Sequence, residues 1–153
     1  MEKKNEKLFG LLASYYVLES KLRNYHWNVA CATFYQLHSL FEKQYDVVAE
    51  EIDTIAEQIR ILGDVVEGNL KTYLDFSVID VSNGASNSIS MLEDLVVSNE
   101  RICKYIKELK LFIENDKDEE FKYKNQSTLS LLDDLLKVRE KDVWFLKSTL
   151  NNK

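Results

Sequence analysis

Two histidines and two carboxylates are the residues of this chain whose types and spacing suit chemistry. His26 and His38 are its only histidines, twelve positions apart (38 − 26). Asp53 and Glu57 follow, four apart, and so share one face of a helix. Two imidazoles with two carboxylates make a borderline-to-hard ligand set that suits Fe(II), and also Mn or Zn. The bland reading stands beside this: a His26–Trp27 pair at a helix end packs, and an Asp-x-x-x-Glu face is solvated. One competing site is excluded. A di-iron centre inside a single bundle uses Glu-x-x-His on two helices. Arg23 stands three before His26 and Tyr35 three before His38, so neither histidine has the required glutamate.

The elements that must position these groups read as four long helices. Apolar positions recur at steps of three and four in four stretches. The first carries Leu8, Leu12, Tyr15, Leu18, Leu22 and Tyr25. The second carries Phe34, Leu37, Phe41, Val48, Ile52, Ile55, Ile59 and Leu62. The third carries Ile89, Leu92, Val96, Cys103, Ile106 and Ile113, and the fourth Leu129, Leu132, Leu136, Val143, Leu146 and Leu150. Gly63 is placed to stop the second helix. Residues 64–84 then form a long connection, with Thr72 to Ile79 apolar enough for a short extra helix. Ser86 to Ser90 offers N-caps for the third helix, 115–125 reads as a charged loop, and Ser127 or Thr128 as a cap for the fourth. The expected fold is all-α, a four-helix bundle with a long crossover holding a short helix. A pair of hairpins dimerising as a coiled coil is the weaker alternative. His26 falls near the end of the first helix and His38 one turn into the second. Asp53 lies 15 residues beyond His38 (53 − 38), roughly 22 Å along the same rod. One subunit therefore does not easily bring His38 and Asp53 to one metal, whereas two antiparallel subunits about a two-fold axis do.

Length and composition agree with a single domain over 1–153 that begins with a short tail, 1–7. The chain has 153 residues, no proline and four glycines, too little turn punctuation for a β-rich fold. Its net charge of −6 argues against a broad nucleic-acid footprint and is compatible with attracting cations. No run approaches a membrane span, and the first residues lack a signal-peptide pattern, so the expected location is cytoplasmic. Cys31 and Cys103 are the only cysteines and read as two small buried hydrophobes. No internal repeat or low-complexity segment is present.

At this point the residues resemble the Dps family of mini-ferritins. The likeness runs through Asn24-Tyr25-His26-Trp27-Asn28-Val29 and Phe34-Tyr35-Gln36-Leu37-His38-Ser39-Leu40-Phe41-Glu42. It resumes at Ile52-Asp53-Thr54-Ile55-Ala56-Glu57-Gln58-Ile59-Arg60-Ile61-Leu62-Gly63, with the family's spacing and no gaps, and ends in Arg139-Glu140-Lys141-Asp142-Val143-Trp144. The resemblance implies a hollow homo-oligomeric shell of twelve ferritin-like subunits. It implies a ferroxidase site at each dimer interface, with His26 and His38 from one subunit and Asp53 and Glu57 from its partner. Fe(II) would be oxidised there, preferably by hydrogen peroxide rather than dioxygen, and stored as Fe(III), which protects against oxidative stress. Trp27 matches a family tryptophan that intercepts stray oxidising equivalents, with core packing as its alternative.

Departures from the family accompany the likeness. Cys31 and Ala32 stand where glycine and often proline make the first turn, Gln58 replaces an arginine, and Ser130 replaces an aspartate of the acidic pore. A carboxylate-lined iron pore is expected from Asp116, Asp118, Glu119, Glu120, Asp133 and Asp134. DNA binding through a lysine-rich tail is not expected, since Lys3, Lys4 and Lys7 are interleaved with Glu2 and Glu6. The competing functions are a DNA-compacting structural protein of the same fold and a non-catalytic helical interaction module. The expected core comprises Tyr15, Leu22, Phe41, Ile52, Ile59, Leu92, Ile106, Leu132 and Leu136.

Overall fold

A computed structural model describes residues 5–81 and 86–151. Residues 1–4 of the expected tail, with Lys3 and Lys4, and Gly84 of the connection lie outside the described residues. The helices are α1 (Glu6–Asn28), α2 (Phe34–Ile61), α3 (Leu70–Phe76), α4 (Ser88–Glu114), α5 (Glu119–Lys124) and α6 (Gln126–Leu150). Glu6 and Lys7, assigned to the tail, already belong to α1. None of the described helices is long and apolar enough to cross a membrane.

Cross-links fix the helix directions. Asn5 bonds Asp64 at one end of the α1–α2 pair, and His26 meets His38 at the other, so the pair is antiparallel. The Tyr105 hydroxyl donates to the Lys7 carbonyl, and Lys21 reaches Asp94, so α4 also runs against α1. α6 runs against both α2 and α4, through Gln58 to Thr128 and Lys147 to Glu100. α2 and α4 are therefore parallel. The chain between them must return the length of the bundle, about 40 Å at the α-helical rise. α3 interrupts that return and lies on α1. Tyr73 stacks on Tyr16 with ring centroids 4.2 Å apart, and Phe76 sets its ring edge against Phe9. The backbone N–H of Val78 donates to the Ser14 hydroxyl, which itself donates to the Gly10 carbonyl.

This explains why α1 is buried beyond its expected stripe. Leu8, Leu12, Tyr15, Leu18, Leu22 and Tyr25 face the bundle, while Phe9, Val17 and Tyr16 meet the crossover. Eight of the nine expected core residues are buried; Leu136 is only partly so. Each fully buried Leu, Ile or Phe contributes about 1.5–3 kcal/mol of transfer free energy.

The helix ends follow local chemistry. Gly63 adopts φ +96°, and its N–H meets the Arg60 carbonyl while Asp64 N–H meets that of Ile59. This paired closure requires the left-handed residue that glycine supplies. Asn87 caps α4 by accepting from Ser90 N–H, and Ser90 answers at Asn87 N–H. Two expectations need correction. The charged loop contains α5, whose first turn is capped by Asp118 accepting from Phe121 N–H. Neither Ser127 nor Thr128 caps α6. Both hydroxyls instead accept from the Gln58 side chain, which is buried.

The middle of the bundle is polar. Arg139 has no exposed surface. Its guanidinium pairs with Glu51 at 2.9 Å and Asp142 at 3.1 Å, and donates to the Asn99 carboxamide at 3.3 Å. Burial pushes the Glu51 carboxyl up to about 7, against the pull of Arg139 and with a push from Asp142. Burial also raises Asp142. Two carboxyls share one guanidinium, so one retained proton leaves the cluster nearly neutral.

This shift fixes a pH dependence. Glu51 titrates near 4.5 when unfolded and near 7 when folded. The folded protein therefore holds a proton that the unfolded chain has released between those values. The contribution is full below about pH 4.5 and is lost as pH rises through about 7. Glu51→Gln mimics the protonated group and removes that slope. Urea denaturation should show the variant gaining stability relative to the parent as pH rises from about 4.5 to 8, by on the order of a few kcal/mol. A relative loss over that range would show that Arg139 holds Glu51 ionised.

Candidate metal centre

The α1–α2 turn brings the two histidines together. Val29 N–H closes α1 on the Tyr25 carbonyl, and Phe34 N–H returns to the Cys31 carbonyl. No described non-glycine residue takes positive φ, so Cys31 and Ala32 make the turn without left-handed backbone. Cys31 is half-buried there, not buried as expected, and a hydrogen bond from Thr33 holds its thiol below the ordinary value. The expectation holds for Cys103, whose thiol burial pushes up to about 11.

His26 and His38 stack, with ring centroids 3.7 Å apart and planes inclined by 21°. Nδ1 of each lies 2.9 Å from the backbone carbonyl of the other. A carbonyl only accepts, so each Nδ1 carries the hydrogen. In the neutral ring this leaves the Nε2 lone pair as the free ligand atom, the arrangement in which a carbonyl orients a metal-binding imidazole. The His26 carbonyl lies in the last turn of α1, where carbonyls lack helical partners, and His38 satisfies it. That end of α1 also carries the negative pole of the helix dipole, which favours a cation. His26 is buried and His38 half-buried. The Tyr45 ring meets His26 edge-on at 5.3 Å, and Phe34 lies 5.0 Å from His38.

Asp53 and Glu57 do not join this pair. Both are exposed on α2 and make no hydrogen bond or ion pair with another described residue. Among the described residues no three His, Cys, Asp or Glu side chains are close enough to hold an ion. The structure thus forms half of the expected ligand set within a subunit and turns the other half outward. Trp27, beside His26, is 69% exposed, which removes packing in the subunit core as its role.

The comparisons decide the family. The profile of the ferritin-like domain matches residues 5–153. The chain is 32% identical to DNA protection during starvation protein 2 of Bacillus anthracis, over 95% of both chains. Its fold matches Dps from Thermosynechococcus elongatus with TM-score 0.87 and 25% identity, covering 99% of this chain and 92% of that one. It also matches a Dps protein from Vibrio cholerae described as a member of the ferritin-like diiron-carboxylate superfamily. That match has TM-score 0.85 and 27% identity, covering 98% and 90%. The chain belongs to the Dps branch of the ferritin-like family.

Against the Dps frame, the carboxylates expected to line a pore are engaged inside the subunit. Asp133 pairs with Lys110, Asp134 with Lys137, Glu119 with Lys122 and Glu120 with Lys124. Asp118 caps α5, and Asp116 accepts from Asp118 N–H. The Arg139 cluster escaped the sequence reading. Its signal is an arginine and an aspartate, three apart, on the apolar stripe of α6 between Leu132 and Leu146.

The tautomer is directly measurable. With only two histidines, ¹⁵N-labelled protein gives two resolvable imidazoles in solid-state spectra. At about pH 8.5, where ordinary imidazole is neutral, both should carry hydrogen on Nδ1. Hydrogen on Nε2 of either ring would break the reciprocal arrangement.

Proposed function

We propose that this Dps-family chain oxidises Fe(II) at a site shared between two subunits of a homo-oligomeric shell and stores the ferric product inside it. The observation that carries this reading is the reciprocal His26–His38 arrangement. Packing alone does not require two imidazoles that fix each other's tautomer and leave both Nε2 atoms for a ligand. In this reading His26 and His38 of one subunit bind and orient the ferrous ion, while Asp53 and Glu57 of its neighbour complete the ligand set. Their lack of partners among the described residues and their roughly 22 Å offset along α2 support that division. Hydrogen peroxide accepts two electrons from two ferrous ions and, with two protons, leaves as two waters. The protein positions the iron and confines the product. Trp27, exposed beside the pair, is placed to give up an electron when only one ferrous ion is present.

Assembly into a shell, with twelve subunits as the expected number, is supported by the apolar surface left on the subunit. Trp27, Tyr35, Ile61, Leu70, Leu74 and Trp144 are all more than half exposed. Where such residues gather into contiguous patches, they mark protein–protein contacts. DNA compaction is not favoured, because a net charge of −6 repels phosphate.

The test is anaerobic Fe(II) loading followed by peroxide, read by absorbance and sizing. His26→Ala/His38→Ala should weaken Fe(II) binding by at least the roughly 10–100-fold that loss of an outer-shell partner costs. Peroxide-driven oxidation should slow in parallel. Asp53→Ala should act in the same direction, and both variants should remain folded, because burial of the helical stripes supplies the stability. Parent-rate oxidation in both assembled variants would remove the assignment.

A further inference from the structure

Arg139 heads the fully buried side chains by volume, and the iron chemistry proposed above makes no use of it. Its surroundings are drawn from all four long helices. Glu51 comes from α2, Asp142 from α6 and Asn99 from α4, each in contact with the guanidinium. The guanidinium also lies 5.5 Å from the centre of the Tyr15 ring of α1. Asn99 spends its amide N–H on the Leu95 carbonyl and so turns its oxygen inward. The Gln44 carboxamide adjoins Asp142.

Carboxylate and carboxamide oxygens converging on one point form the hard donor set that Mn(II), Mg(II) and Fe(II) take. Ferritin-like bundles build internal metal sites from carboxylates in this way. The oxygens around the guanidinium are not all engaged by it. The Tyr15 hydroxyl oxygen and the Gln44 carboxamide oxygen are buried there without a hydrogen-bond partner, while Arg139 Nε–H lacks an acceptor. Gln44 is 5% exposed and Tyr15 0%.

We propose that Arg139 is a tethered cation seated in an internal divalent-metal position, and that it keeps metal out of the bundle core. A fixed positive charge among those oxygens repels a second cation at low dielectric. The subunit edge is then left for iron, a consequence that rests on the function proposed above. The exclusion itself does not rest on it.

The test uses the full chain carrying His26→Ala/His38→Ala, so that the edge site is absent. Mn(II) is the probe, titrated into metal-free protein and counted by electron paramagnetic resonance. This background should bind no tight Mn(II). Adding Arg139→Ala should create one Mn(II) site per subunit, and adding Asp142→Asn should abolish it. Mn(II) should also raise the thermal midpoint that Arg139→Ala lowers in chelator. A helical Arg139→Ala protein that binds no additional Mn(II) overturns the proposal, as does added binding that survives Asp142→Asn. Where Arg139→Ala does not fold without metal, Arg139→Gln keeps a neutral polar side chain in place. Mn(II)-dependent recovery of helix in either variant supports the proposal, and no recovery in both overturns it. Normal Fe(II) oxidation by the histidine variant with Arg139 intact would sink the iron reading alone and leave this result standing.

Discussion

Apolar packing along α1 and α2 sets the register of the two helices, and the reciprocal hydrogen bonds between His26 and His38 form at the end which that register brings together. A helix has one pitch, so one register orients every side chain along it. The Leu37, Phe41, Val48, Ile52, Ile55 and Ile59 stripe then faces the core. Glu51 reaches Arg139, and Gln58 reaches α6. Asp53 and Glu57 fall on the outer face. A slip of one residue, a turn of about 100°, would carry Glu51 from its cation and Gln58 from its hydroxyls. The same register thus brings together the two imidazoles of the proposed iron site. Their Nδ1 atoms are spent on structure and their Nε2 atoms remain for a ligand.

Stability and function draw on different parts of the same helices. Apolar burial along α1, α2, α4 and α6 is extensive, and α3 adds a second covered side to α1. Against that gain stands the cost of a buried guanidinium with two carboxyls. Such clusters seldom add net stability, because desolvation offsets attraction. A proton retained near neutral pH reduces the cost by cancelling the surplus negative charge. The cluster persists in the core only because the surrounding apolar contacts carry the fold.

Periodicity made the four helices legible, because each buries one stripe and a stripe is written directly in residue spacing. Gly63 and the Asn87 region were legible for a related reason: a helix end needs particular chemistry at one position. The α1–α3 packing was not. A second buried face on α1 depends on where a distant crossover lies, which no local pattern records. Thr128 and Ser127 misled for the opposite reason. Hydroxyls near a helix start suit capping, but a buried Gln58 from another helix claimed them. At the site, the sequence yielded the types and spacing of His26, His38, Asp53 and Glu57. It held no sign of the stacked, mutually bonded histidines, since that contact depends on the shape of a turn in which Cys31 and Ala32 depart from the usual residues.

The two charged constellations differ in what they ask of a cation. In the core, Arg139 brings its charge on a chain that cannot leave, and its contacts with Glu51 and Asp142 are shielded from water. Nothing in such a place can exchange. At the end of α1 the charge is absent from the subunit. A buried imidazole, a half-buried one and a helix C-terminus present only lone pairs and a partial negative pole. Asp53 and Glu57 face outward, where carboxylates remain hydrated at little cost, and in the proposed site a neighbour's pair would balance the ferrous ion. The proposed uptake and oxidation of iron calls for this second arrangement. Separating permanent from exchangeable positive charge would let one bundle keep a fixed interior while the proposed edge site handles a metal.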